Sequence, residues 1–248
     1  MVKKIETKVI KVKQETHDVK TIRFDLKDNP MDFKPGQFIT IFVDVDINGE
    51  KTKQSRPFSI SSSPNNKEFI EISVKVYPDS VTAKAIHNLK EGDIVTIMGP
   101  GGRFIYDESK GRNLVLLAGG NGVTPLRSIT HYVLDNNLDV NVTLIYSNKT
   151  PEDIIFRKEI DELTKRYKNF KRIFTITRVN ESKSKWGGNV GRINAELIRS
   201  SVEELSSAIF YVAGPPQMVE DIVNVLKDLG IEDFKIHTEE FVRGTFKK

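Results

Sequence analysis

Cysteine is absent from all 248 residues. That excludes disulfides, thiolate zinc sites, a cysteine nucleophile and cysteine-ligated iron–sulfur clusters within this sequence. Long apolar runs are also missing. The longest near the centre is Leu114–Ala118, against the ~18 residues a membrane span requires. The opening Met1-Val2-Lys3-Lys4-Ile5-Glu6 lacks the apolar stretch of a secretory signal, so a cytoplasmic location with no membrane span is expected. Charge of one sign is not in excess either. Lys and Arg number 38 against 34 Asp and Glu, a net +4. The balance is even along the chain, 17 basic and 15 acidic up to residue 107, then 21 and 19. With no basic tail or half, nucleic acid is not an expected partner. His17, His87, His131 and His237 share no spacing, so no metal site is expected.

What is present divides into two rhythms. The first ~107 residues alternate apolar and polar side chains, the pattern of half-buried strands. Lys8–Lys13, Val19–Leu26, Phe38–Val45, Phe69–Val76 and Asp93–Met98 all read this way. Turn clusters such as Lys34-Pro35-Gly36, Asn48-Gly49 and Glu91-Gly92-Asp93 separate them, and only Val81–Leu89 looks helical. That spacing predicts an antiparallel Greek-key β-barrel. Beyond it, strands at Asn113–Ala118, Val140–Tyr146, Lys171–Thr177, Ala208–Ala213 and Lys235–Thr238 alternate with helices. Those helices are expected at Pro125 to about Leu134, Pro151 to Tyr167, Ala195–Arg199 and Pro216–Leu229. Strand alternating with helix predicts a Rossmann-like parallel α/β domain. The expected division is 1–107 and 108–248, with the join in the polar Asp107–Arg112.

Seven of the sixteen glycines lie between Gly99 and Gly122. The sharpest cluster is Leu116-Leu117-Ala118-Gly119-Gly120-Asn121-Gly122-Val123-Thr124-Pro125. Glycines after a buried strand allow a tight turn and a close backbone approach to a ligand. Thr124 is the expected N-cap and Pro125 the first helical residue. Backbone N–H groups at such a helix start suit a pyrophosphate; a tight strand–helix turn without a ligand is the plain alternative. The acidic residue expected ~20 positions on to hold a ribose 2′-hydroxyl is missing. In its place stand Ser147 and Lys149, with Arg178 after the next strand. Those three favour a 2′-phosphate and therefore NADPH, with NADH open.

A second constellation is Gln54-Ser55-Arg56-Pro57-Phe58-Ser59. A guanidinium for phosphate, an aromatic ring for stacking and a hydroxyl stand together on one strand. They could hold a flat ring bearing a phosphate tail; a packed Phe beside a surface Arg is the structural alternative. Trp186, in Trp186-Gly187-Gly188-Asn189-Val190-Gly191, is expected to pack over the second half.

Arg56-Pro57-Phe58-Ser59, then Gly99-Pro100-Gly101-Gly102-Arg103-Phe104, then Gly119–Pro125, then Gly214-Pro215-Pro216-Gln217-Met218 follow one another in this order. The set resembles the ferredoxin–NADP reductase superfamily over nearly the whole chain. The resemblance implies a flavin-binding barrel followed by a domain binding a nicotinamide nucleotide. Position by position, it implies that Arg56 binds the flavin phosphate, that Phe58 flanks the ring with Pro57 in the same cofactor-binding stretch, and that Ser59 lies near flavin N5. Phe58 stands where Tyr is usual. Lys75 and Tyr77 match the next flavin-contacting strand, and Thr82 matches a phosphate-binding hydroxyl, although Asp79 replaces the customary Gly. Gly99, Gly101 and Gly102 match the loop beside the flavin. Gly120, Gly122, Thr124 and Pro125 match the pyrophosphate loop, and Ala213, Gly214, Pro215 and Met218 the nicotinamide end. Ala213 occupies the usual place of a Cys, which implies slower turnover. Glu239-Glu240-Phe241 resembles the C-terminal acidic–aromatic segment, so Phe241, or Phe246, would cover the flavin.

The implied activity is hydride transfer from NAD(P)H to flavin N5, with electrons passed to a ferredoxin- or flavodoxin-like carrier. FAD is the implied flavin, with FMN open. Without cysteine ligands for a cluster, electrons leaving the flavin are expected to go to another molecule. The alternatives are a reductase subunit of an oxygenase or dehydrogenase complex, a free-flavin reductase, and a regulatory module that binds nucleotide without redox chemistry.

Overall fold

The computed structural model describes residues 2–47 and 49–241. They form two compact units, 2–105 with 127–132, and 106–126 with 133–241.

The first unit is all strand apart from one short helix. It contains β1 (Lys3–Thr16), β2 (Val19–Asp25), β3 (Phe38–Ile47), β4 (Glu50–Ser59), β5 (Phe69–Lys75), α1 (Val81–His87) and β6 (Ile94–Gly101). The sheet order is β4-β3-β6-β1-β2-β5 with every neighbour antiparallel. Just past β4, Ile60 bridges Ile72 of β5, and the Ser61 N–H donates to the Glu71 carbonyl at 2.8 Å. Those links curl the sheet into a barrel. Alternate residues of the strands, among them Ile22, Phe24, Ile39, Ile41, Ile70, Ile72 and Ile97, fill its core, as the period of two requires. β1 outruns the Lys8–Lys13 pattern at both ends because it serves two partners, β6 along its first half and β2 along its second. A register shift between Val9 and Lys11 bends it from one to the other.

The second unit is a parallel sheet with helices. Its elements are β7 (Asn113–Gly119), α2 (Val123–Asp135), β8 (Asn141–Asn148), α3 (Arg157–Arg166), β9 (Phe170–Ile176), β10 (Asn189–Val190), α4 (Ala195–Ser201), β11 (Ala208–Gly214), α5 (Pro216–Asp228) and β12 (Ile236–Glu240). The order is β10-β9-β8-β7-β11-β12. From β7 the chain builds outward through β8 and β9, then returns to β11 on the other side. At that reversal the loops after β7 and β11 diverge at the strands' carboxyl ends, the place where open α/β sheets take ligands. Val115, Leu117, Phe210, Val212, Ile222 and Leu226 pack one face of the sheet.

Three local expectations need correction. α2 begins at Val123 rather than Pro125, after a 3₁₀ turn over Gly120–Gly122. The Thr124 hydroxyl therefore donates to the Asn121 carbonyl at 2.7 Å and is not an N-cap. The helix expected from Pro151 to Tyr167 is broken into a 3₁₀ turn, Pro151–Asp153, and α3. Ile154, Ile155 and Phe156 between them are all buried, and three consecutive inward side chains cannot share one helix face. Phe156 resolves this with a left-handed φ of 59°. The Gly-rich segment after Trp186 yields the two-residue edge strand β10, which pairs with β9; so short a strand leaves no periodicity to read. Among the described residues no helix is long and apolar enough to cross a membrane.

Candidate functional site

In the first unit, strand alternation puts Arg56 and Phe58 on one face of β4, both half-buried, with the guanidinium 6.0 Å from the ring centroid. Ser59 turns the other way and is buried, while Pro57 is exposed. The Arg56 Nη1 donates to Ser80 Oγ at 3.0 Å. Ser80 is the N-cap of α1, and its hydroxyl also accepts from the Ala83 N–H at 3.3 Å. Thr82 lies in that same first turn. A guanidinium, a capping hydroxyl and a Thr are thus gathered at one helix start, a donor set matched to phosphate oxygens. Tyr77 is half-buried just upstream.

Lys75 is not part of that cluster. Its ammonium pairs with Asp18 at 2.9 Å. Burial pushes the Asp18 carboxyl up, but the Lys75 hydrogen bond and charge outweigh it and hold the group below the usual carboxylate range.

Gly99, Gly101 and Gly102 answer first to packing. A Cβ on Gly99 would lie 2.8 Å from Ile39 Cγ2, and one on Gly101 2.9 Å from the Phe38 ring. Gly102, at φ +103°, would meet the same ring at 3.0 Å. Phe38 and Ile39 are register partners of Ser59 and Phe58, so the loop backs the strand pair that carries the Arg56 constellation.

In the second unit the residues read as a phosphate loop stand at the switch point. A Cβ on Gly122 would fall 2.0 Å from the Ala213 carbonyl oxygen, and one on Gly119 would fall on Met218 Sδ. The loop after β7 therefore lies backbone to backbone against the end of β11, and Ala213 is fully buried. Gly120, at φ +52°, faces open space. Pro125 stands in the first turn of α2. Pro215 precedes α5, with Pro216 as its first residue. The Phe241 N–H donates to the Gly214 carbonyl at 2.8 Å, which carries the pairing of β11 and β12 one step past the sheet and sets Phe241 beside this rim. Phe246 lies outside the described residues.

At the tip of β8, Ser147 is half-buried and Lys149 exposed. The Arg178 N–H donates to the Lys149 carbonyl at 2.8 Å, so both cationic residues stand at one strand edge. The Arg178 guanidinium reaches the Glu181 carboxylate at 3.4 Å. Trp186 donates its Nε1–H to the Asn189 carbonyl at 2.8 Å, over the segment that forms β10.

Sequence reasoning missed two residues. Ser80 joins Arg56 to α1, and its signal was an ordinary N-cap serine ahead of a short helix. Tyr146 ends a buried strand, yet its hydroxyl donates to the Gly120 carbonyl at 2.8 Å; a tyrosine among aliphatic strand residues was the available clue.

Comparison with known proteins now bears on these geometries. A family model described as an oxidoreductase FAD-binding domain matches residues 6–106, and one described as an oxidoreductase NAD-binding domain matches 116–224. NADH-cytochrome b5 reductase 1 of Mortierella alpina is 31% identical over 208 residues, 83% of this chain and 67% of that protein. The chain belongs to the ferredoxin–NADP reductase superfamily. Within it, the reductase subunit of glycine betaine monooxygenase from Chromohalobacter salexigens is 34% identical over 235 residues, 94% of this chain and 62% of that one. The chain spans about 62–63% of the length of the curated relatives it first matches. The flavohem-like FAD/NAD-binding domain of nitric oxide dioxygenase from Vibrio cholerae shares the fold, with a TM-score of 0.84, 24% identity and 95% and 98% of the two chains covered. The two matched models name FAD and NAD as the nucleotides that domains of these kinds bind.

The residues present fit that cofactor set. The Arg56–Ser80–Thr82 cluster offers a cation and hydroxyls to an anionic tail beside a half-buried ring. The Gly119–Gly122 turn offers backbone at the switch point, with a Cβ-free approach at Gly120.

Proposed function

We propose that this chain is the reductase partner of a separate redox protein, with residues 1–107 holding FAD and 108–248 the nicotinamide nucleotide. The single observation that carries the assignment of the flavin half is the Arg56 guanidinium on Ser80 at the start of α1. Arg56 neutralises the flavin's phosphate charge, and Thr82 with the N-cap hydroxyl of Ser80 supplies further hydrogen bonds. Phe58, with Pro57 beside it, lines the ring. Ser59 is the hydroxyl on that strand assigned to the reacting edge, and Tyr77 extends the contact surface. When bound, the flavin supplies the group that takes a hydride from the nicotinamide and can release electrons singly. Gly120 and Gly122 give the dinucleotide pyrophosphate its backbone cradle, while Gly214, Pro215 and Phe241 border the nicotinamide end. The protein's own contribution is binding, distance and exclusion of water.

For the acceptor, kinship with a monooxygenase reductase subunit supports an oxygenase component over a ferredoxin- or flavodoxin-like carrier. Anaerobic titration tests the core of this reading. Purified protein is expected to be yellow and to bleach on adding NADPH or NADH. Colourless protein that binds no added FAD would overturn it. Turnover with candidate oxygenase components, a ferredoxin, a flavodoxin and free flavin then ranks the acceptors.

The nucleotide choice rests on Lys149 and Arg178, the latter sharing its charge with Glu181. Lys149→Ala is expected to lower kcat/KM for NADPH by about tenfold, the loss of one charge-assisted hydrogen bond, and to leave NADH unaffected. Equal losses for the two nucleotides would remove Lys149 from the assignment.

A further inference from the structure

We propose that Tyr146 is a positioning residue for the nicotinamide dinucleotide: its buried hydroxyl holds the Gly120 carbonyl and so fixes which way the next peptide N–H of the phosphate loop points. The inference rests on the reading of Gly119–Gly122 as the pyrophosphate cradle.

Tyr146 is the sixth residue of β8 and is fully buried, with its ring edge-on to Phe174 at 6.1 Å. Strands this deep in a parallel sheet are normally aliphatic, and a buried phenol costs free energy unless its hydroxyl is satisfied. Here the hydroxyl does two things. It donates to the Gly120 carbonyl at 2.8 Å and accepts the Ile155 N–H at 3.4 Å. Burial pushes the phenol's pKa up, so it stays a donor at any working pH.

The bond to Gly120 matters because of where Gly120 lies. Its left-handed φ of +52° is a conformation glycine enters and leaves at little cost, so the backbone alone does not fix this peptide. In a trans peptide the C=O and the following N–H point in opposite directions. Anchoring the Gly120 carbonyl to Tyr146 therefore sends the Asn121 N–H away from β8. The Val123 N–H closes on the same carbonyl as α2 begins, so the peptide is held from both sides. The second face of the loop is fixed independently, by the fit of Gly122 against Ala213. The anchoring of Ile155 adds a link to the segment before α3, where Phe156 takes its left-handed turn.

The test uses the flavin-loaded full chain and two variants. Tyr146→Phe removes only the hydroxyl. Phe174→Leu loosens the ring's packing and leaves the hydroxyl bond in place. NADP⁺ and NAD⁺ are titrated calorimetrically into each oxidised protein, and flavin reduction is followed by stopped flow at saturating nucleotide. The expected result is a dinucleotide Kd raised about five- to tenfold in Tyr146→Phe, the equivalent of one neutral hydrogen bond. Its saturated reduction rate and FAD content should remain near wild type, with Tm lowered by a few degrees because the Ile155 N–H loses its acceptor, and Phe174→Leu should bind within twofold of wild type. A Kd within twofold of wild type for Tyr146→Phe overturns the proposal. So does an equal rise in Phe174→Leu, which would make the effect one of packing. Failure of the wild-type protein to bind either nucleotide overturns instead the reading beneath it, so the two failures are told apart.

Discussion

At the scale of single residues, the chain separates side chains that pack from those that can bind. Arg56 is the clearest of the second kind, because its guanidinium reaches a capping hydroxyl at a helix start, 3.0 Å away. Arg56→Ala is expected to weaken FAD binding by about ten- to a hundredfold, the range for a lost charge-assisted hydrogen bond. Flavin-to-protein absorbance after dialysis measures it, and an unchanged ratio would count against the assignment. The glycines divide just as sharply. Gly122→Ala forces a Cβ onto the Ala213 backbone and should destabilise the protein by about 3 kcal/mol, as overpacking does. Gly187→Ala meets nothing within 4 Å and should change stability by less than about 0.5 kcal/mol. Urea unfolding of the two variants in parallel provides the comparison.

At the scale of elements, helix α1 has a part beyond its length. Its N-cap Ser80 satisfies Ala83 and receives Arg56 with the same hydroxyl. Ser80→Ala is expected to cost about 1 kcal/mol of stability and to lower FAD retention as well, whereas a simple cap variant would alter only the unfolding midpoint. Elements also mark how far the sequence could be read. Period-two alternation placed β2, β3 and β5 nearly to the residue because each has one face in the barrel core. The parallel strands β7 and β11 were legible as short apolar runs bounded by glycine. The break before α3 was not legible, because Ile154-Ile155-Phe156 suits helix and strand alike and only burial of all three decides it. Lys75 was placed on the right strand, but its pairing with Asp18 depends on β2 and β5 being neighbours, information that no local motif carries. Tyr146 was hidden for a related reason, since its partner Gly120 is 26 residues away.

At the scale of the whole molecule, the pH response follows from two histidines held neutral. Burial, and then the charge of Lys20, lowers the pKa of His87; burial, and then Lys110, lowers that of His237. Both therefore lie below the ordinary 6.5 in the folded state. The unfolded chain binds more protons just below that value, so the stabilisation is full above pH 6.5 and is lost as the pH falls through the folded pKa values. Tm is expected to decline below about pH 6.5, and His237→Gln should flatten part of that decline. A Tm independent of pH between 5 and 7 would show that neither histidine is held this way. His237 lies against the Tyr211 ring at 4.7 Å, so the variant should be read beside one at exposed His17 as a control.

The contact of Gly122 with the Ala213–Gly214 backbone also has an evolutionary meaning. A loop and a strand end 91 positions apart meet at Gly122 with no side chain between them, so neither can change shape without an answering change in the other. The two are therefore expected to change together. A chimaera between relatives with its crossover anywhere between residues 122 and 213 would join segments that never adapted to each other. Crossovers outside that interval keep the pair intact and are where recombined members of this superfamily should survive.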